Sequence, residues 1–218
     1  MDQSRKYLYF MVALAVSLFF TALGKGWANA FAALLFLVAM MVAVWFISQN
    51  KWQRIVMLSL AALAVLPLWE LALLRNPMVI ETVNTGLWII LTSFVGSMIF
   101  RDIFRAQRIG SDQIYGVISV YLLIGVFFAL IYQILVVFEP NAFYFNPMNF
   151  KGPVGNEGDL FYYSFITLST VGYGDVSPVA PIARSVSVIE AIVGIMYVAT
   201  MIARFVASHS GRENDQSR

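Results

Sequence analysis

Apolar runs long enough to cross a membrane recur along nearly the whole chain, and that recurrence leaves few folds open. A helix rises about 1.5 Å per residue, so roughly 20 apolar residues cross the hydrocarbon core. Six such stretches can be drawn, roughly Tyr7 to Leu23, Trp27 to Ser48, Ile55 to Leu74, Met78 to Phe100, Gln113 to Phe138 and Pro181 to Ser208. The breaks read GKG, QNKWQR, RNP and RDIFRAQRIGSD, followed by EPNAFYFNPMNFKGPVGNEGD, whose prolines, glycines and asparagines forbid a continuous helix. Backbone polar groups in hydrocarbon must be paired within the protein, so the runs are expected to be helices and exposed irregular segments to lie outside. Residues 60% hydrophobic and only 12% charged leave little for a soluble domain.

The same composition removes several function classes. The absence of cysteine excludes disulfides, thiolate metal sites and thiol nucleophiles. The single histidine, His209, sits in the polar tail, so the spans offer no histidine ligand for haem. Charged residues inside the spans are three scattered glutamates, Glu70, Glu81 and Glu190, too few for an intramembrane catalytic set. No enzyme activity and no cofactor are expected. A net charge of +2 does not suggest nucleic acid, and no soluble partner is evident.

The basic residues indicate orientation. With a cytoplasmic N-terminus, Arg5, Lys6, Lys51, Arg54, Arg101, Arg105, Arg108, Arg204, Arg212 and Arg218 share one side, while Lys25, Arg75, Lys151 and Arg184 share the other. The excess predicts both termini inside and an even number of spans. A secretory signal ending near Ala28-Asn29-Ala30 is disfavoured, because the first run continues almost directly into the second. Glu70 and Glu81 fall near the outer ends of the third and fourth runs, close to Arg75, where they anchor the interface or pair; Pro67 is expected to kink the third run.

One stretch breaks the apolar pattern with purpose: TLSTVGYGDVSP, Thr167 to Pro178. A cation crossing hydrocarbon loses its hydration shell, so a pathway must offer oxygen dipoles throughout. Backbone carbonyls of one strand point the same way only if alternate residues take conformations that glycine adopts freely, and Gly172 and Gly174 alternate as required. Thr170 can add a hydroxyl at the inner end, Tyr173 can buttress the strand, and Asp175 can accept hydrogen bonds where it ends. Upstream, Asp159 is a candidate N-cap for a short helix from Leu160 to about Ser169, whose C-terminal end would present partial negative charge toward the membrane centre. Pro178 and Pro181 precede the last helix, where missing amide donors do no harm. Glu190 lies a third of the way into that helix and is expected to reach the short helix at Thr167 or Ser169, or Tyr173.

Residues Thr170-Val171-Gly172-Tyr173-Gly174-Asp175 resemble the selectivity filter of potassium channels, and the resemblance spans about Gln113 to Ser208. It implies an all-α membrane protein of six transmembrane helices, with a re-entrant pore helix and filter between helices 5 and 6, and a homotetrameric pore in which Thr170, Val171, Gly172, Tyr173 and Gly174 hold K+. The domains would be 1–108, a four-helix transmembrane unit; 109–208, the pore; and 209–218, a short cytoplasmic tail. The implied setting is a bacterial inner membrane with lipid neighbours. Gly194 matches the family's gating-hinge glycine, with close helix packing the alternative. Ile195, Val198 and Ile202 would then line the inner cavity. Asp175, Glu190, Tyr162 and Tyr163 would support the filter, although many members have paired tryptophans where Tyr162 and Tyr163 stand, and some carry a carboxylate where Ile166 stands. A weakly selective cation channel and a subunit of a potassium uptake transporter are the alternatives, the latter usually carrying four filter repeats per chain.

Six spans ending in a pore resemble the voltage-gated architecture, yet no basic residue lies between Glu81 and Phe100. Moving one charge through 100 mV is worth only about 2.3 kcal/mol, so steep gating needs several. Arg101, Arg105 and Arg108 follow the span on one helical face, suited to anionic headgroups. The expected conductance–voltage relation is therefore shallow. A steep curve carrying several gating charges would contradict this reading.

Overall fold

The apolar runs that the sequence marks as spans are helical wherever the computed structural model describes them: residues 5–22, 26–47, 77–106, 110–150 and 154–216, with Lys51, Ile55 and Ser59. Helices α1 (Lys6–Ala22) and α2 (Gly26–Ile47) follow the first two runs, α3 (Pro77–Arg105) and α4 (Ser111–Phe138) the fourth and fifth, and α6 (Pro181–Gln216) the last. Most of the third predicted run, with Pro67, Glu70 and Arg75, lies outside the described residues, as does Arg108. Among the described residues, Met78–Arg105, Ser111–Phe138 and Pro181–Ser208 are long and apolar enough to cross a membrane. The apolar parts of α1 and α2, Lys6–Thr21 and Phe31–Ala43, are shorter. Helix α6 continues beyond Ser208 into the polar tail, where Gly211 does not interrupt it.

Between α4 and α6 the chain builds a compact insert. A short strand β1 (Phe143–Phe145) pairs antiparallel with β2 (Val176–Pro178), Tyr144 opposite Ser177. Helix α5 (Glu157–Leu168) lies between them in sequence and packs against both α4 and α6. The sequence predicts an irregular Pro- and Gly-rich connection; the strand β1 within it, paired with β2 beyond α5, is a further feature. It fixes where the segment after Gly174 leaves, because Asn146 N–H donates to Asp175 O at 2.8 Å and Val179 N–H to Ala142 O at 2.8 Å.

Helices α1 and α3 pack on α4 of their own chain. Their shared core contains Tyr7, Phe10, Leu14, Leu91, Val95, Ile99, Val120 and Leu123, all buried. At one end a polar cluster adds direction to this apolar contact: Lys6 pairs with Asp102 at 3.0 Å, the Tyr7 hydroxyl donates to Asp102, and Tyr7 N–H donates to Asp112 Oδ1 at 3.0 Å. The Arg204 guanidinium of α6 caps the end of α3, donating to the carbonyls of Ile103 and Phe104 at 2.9 Å each, and lies over the Phe104 ring. A cation at a helix C-terminus opposes the partial negative charge there. These contacts tie the first helices to both ends of the later segment.

Glycine lets two helices come close at α6. A Cβ on Gly194 would lie 2.3 Å from the Leu168 carbonyl oxygen, so only glycine permits this approach of α6 to the last turn of α5. The helix runs unbroken through that position. Gly86 of α3, by contrast, has nothing within 4 Å of a Cβ. Gly194→Ala should lower unfolding stability in detergent by about 1–3 kcal/mol, an overpacking effect. Gly86→Ala should leave it unchanged or slightly raised. Equal effects of the two substitutions would contradict the packing role.

Candidate functional site

Helix α5 begins with reciprocal capping rather than at the residue the sequence pointed to. Asn156 is the N-cap, its side chain accepting from Asp159 N–H at 3.1 Å, while Asp159 Oδ2 accepts from Gly155 N–H at 2.9 Å and Asn156 N–H at 3.3 Å. Asp159, expected as the cap, is the third helical residue of a capping box. Glu157 and Asp159 place two negative charges in the first turn, where the helix end is positive.

At the other end the chain turns back on the helix. Ile166 O accepts from Val171 N–H at 2.9 Å and from Gly172 N–H at 3.1 Å, and Thr167 O accepts from Thr170 N–H at 2.9 Å. Positive φ angles then alternate: Thr170 at 60°, Gly172 at 50° and Gly174 at 76°. The two glycines fit the sequence expectation. The third position is a threonine, and a β-branched residue with φ > 0 is a strained conformation of the kind that clusters at functional sites. Among the described residues, no N–H or hydroxyl donates to the carbonyl oxygens of residues 170–173, while Gly174 O receives only the Ser177 hydroxyl at 3.5 Å. Carbonyl groups are seldom left unpaired in a folded chain.

The side chains of this segment face outward in a single copy. Val171 is 51% and Tyr173 72% exposed, and among the described residues the Tyr173 hydroxyl makes no hydrogen bond. Ile195, Val198 and Ile202 of α6 are likewise exposed. The expected support at the outer end takes a definite form: the Tyr162 hydroxyl donates to Asp175 Oδ2 at 2.6 Å, and Asp175 Oδ1 accepts from Val176 N–H at 3.0 Å.

Behind the segment lies a fully buried polar network. Glu190 Oε1 accepts from the Ser164 hydroxyl and Oε2 from the Tyr132 hydroxyl, each at 2.5 Å. Its expected partners, Thr167, Ser169 and Tyr173, are not used; the contact with α5 is made about one turn earlier, at Ser164, and the second comes from α4. Ser164 Oγ also lies 2.7 Å from Gly125 O, at a point where a Cβ on Gly125 would meet the Phe165 ring at 2.7 Å. Tyr163 and Ser187 share a hydrogen bond of 2.7 Å, and the rings of Tyr132, Phe143 and Tyr163 meet pairwise, edge to face, with centroids 5.1–5.3 Å apart. Such aromatic edges add directional contact to burial. Sequence reading missed Tyr132, Ser164 and Ser187; the available signal was the presence of polar side chains within otherwise apolar helices, which seek one another away from lipid.

Comparison with known proteins falls on the same region. A protein-family model described as "Ion channel" matches residues 116–208. Protein LctB of Bacillus caldotenax is 34% identical over 101 residues, covering 46% of this chain and 75% of that protein. Protein LctB of Geobacillus stearothermophilus is 31% identical over 120 residues, covering 54% of this chain and 87% of that protein. A rice protein named two pore potassium channel c is 33% identical over 64 residues, 28% of this chain and 14% of its own length. No solved structure matches the chain. Residues 116–208 are therefore an ion channel domain, and the chain is an integral membrane protein of the family to which the LctB proteins belong.

Proposed function

We propose that four copies of this chain form a potassium-selective channel, each contributing residues 170–174 to one axial filter. The observation that carries this reading is the set of unpaired carbonyls at 170–173 on a backbone whose φ alternates in sign. A single such strand cannot surround an ion, whereas four around an axis replace a hydration shell with stacked oxygen rings. The exposed apolar groups Val171, Tyr173, Val188, Ile192, Ile195 and Ile202 supply surface for neighbouring copies and for the inner cavity wall. The name of the rice relative favours potassium.

In this proposal α5 is the re-entrant pore helix, its C-terminal carbonyls favouring a cation in the cavity. Residues 109–208 are the pore, with residues 1–108 forming a surrounding helical unit that lacks an arginine ladder. Six spans, cytoplasmic termini and a bacterial inner membrane complete the arrangement, and K+ is the permeant ion rather than a resident cofactor. Gly194 acts first through close packing on Leu168, so any bend at this point must open that contact.

Purified protein in liposomes should pass K+ down its gradient and Na+ far more slowly, with barium blocking the flux. Gly174→Ala, which strains a positive-φ position, should reduce K+ flux at least tenfold with assembly retained. Equal Na+ and K+ fluxes would replace the selective filter by a weakly discriminating one. No cation flux from an assembled oligomer would contradict conduction altogether.

Glu190 gives a second test. Glu190→Gln keeps the volume and one acceptor, so the protein should still assemble, but Tyr132 and Ser164 can no longer both donate to a carboxylate. Open probability in single-channel records should change severalfold. Glu190→Leu removes the close acceptor of Tyr132, while Ser164 keeps the Gly125 carbonyl, and should cost about 1–3 kcal/mol of stability. Unchanged opening and conductance in Glu190→Gln would limit the residue to a structural role.

A further inference from the structure

At the end of the bundle that holds the N-terminus of α5, helices α1 to α5 enclose a crevice of about 180 Å³. That is far more than the roughly 15 Å³ a single water requires. Its polar lining comes from Ser17 and Thr21 of α1, whose hydroxyls are bonded to backbone carbonyls, and from Asn84, Thr85, Gln133 and Glu157 of α3, α4 and α5. Thr85 is only 6% exposed, and among the described residues its hydroxyl forms no hydrogen bond. Neither do the carboxamides of Asn84 and Gln133. Aromatic rings complete the wall, with Phe36 and Trp88 at a centroid distance of 5.5 Å and Phe161 one turn beyond Glu157.

The titratable groups at this wall are acidic. Glu157 lines the crevice, where burial and the neighbouring Glu81 of α3 raise its pKa, so a cation beside it would favour its charged form. No lysine or arginine lines the crevice, and among the described residues the sole salt bridge is Lys6–Asp102, made by other groups. An anion is therefore repelled, and a neutral apolar occupant would leave the carboxylate and three polar side chains without partners. An inorganic divalent ion fits poorly, because the described residues contain no group of three His, Cys, Asp or Glu. An organic ammonium group matches each feature: ring faces attract cations, the carboxylate supplies the counter-charge, and the carboxamide and hydroxyl oxygens accept N–H bonds.

We propose that this crevice binds a small organic amine in its ammonium form. The site lies beside the first turns of α5, whose last turn holds the 170–175 segment through Ile166 O. An occupant held by Glu157 and Phe161 therefore bears on the same rigid element as that segment. Binding itself does not depend on potassium selectivity, and the test keeps the two apart.

The test uses the full-length protein in detergent with saturating K+, titrated with methylammonium by calorimetry. The expected stoichiometry is one cation per chain. Glu157→Gln, which should stay folded and assembled with a slightly lowered thermal midpoint, is expected to weaken binding at least tenfold. Thr85→Val should weaken binding of methylammonium, which can donate hydrogen bonds, more than that of tetramethylammonium, which cannot. No saturable heat, or one cation per four chains unaffected by Glu157→Gln, would overturn the proposal, the latter placing the cation on a shared axis. Binding at one per chain in a protein that fails to conduct K+ would leave this site standing and remove only the channel reading.

Discussion

The later half of the chain presents a row of backbone carbonyls that no donor among the described residues satisfies. Oxygen atoms at 170–173 receive no donor among the described residues, while the N–H groups of Thr170, Val171 and Gly172 are spent on the end of α5. That division sends donors inward and acceptors outward. It requires φ to alternate in sign, which two glycines and one strained threonine provide. Under the proposed function, a cation would offer each of these acceptors the charge that a missing donor would have supplied.

Such a strand holds its shape only if the surrounding scaffold is stiff. The inner end is set by the packing of Gly194 against Leu168 O, the outer end by Tyr162 and Asp175, and the exit by the pairing of β1 with β2. Glu190 joins these supports at their centre. Its carboxylate collects hydroxyls from α4 and α5 while belonging to α6, so three elements share one buried charge-capable group. Breaking such a network from one side strands polar partners in the buried interior, where an unpaired polar group is costly.

Much of this was legible in the sequence, for identifiable reasons. Hydropathy located α1, α2, α3, α4 and α6 because spans must be long, apolar and helical. The alternating glycines identified the 170–174 segment because the conformations they allow are closed to most residues. Boundaries and partners were harder. Asp159 was read as a cap because its residue type fits, yet Asn156 fits equally and stands where the helix begins. Glu190 was expected to meet α5, and does, but Ser164 rather than Thr167 is the contact. Tyr132 lies 58 residues away in sequence, a separation no local pattern reports. The β1–β2 pairing and the Lys6–Asp102 contact were hidden for the same reason, since short strands and single ion pairs become visible only when the chain is folded.

The central claim, that carbonyls at 170–173 act together as cation ligands, is tested most directly by the structure of the assembled protein in K+ and again in Na+. The account predicts four copies around an axis, with ion density beside residues 170–174 in K+ that weakens or shifts in Na+. Segments held apart from one another, or a single copy with no shared lumen, would contradict it.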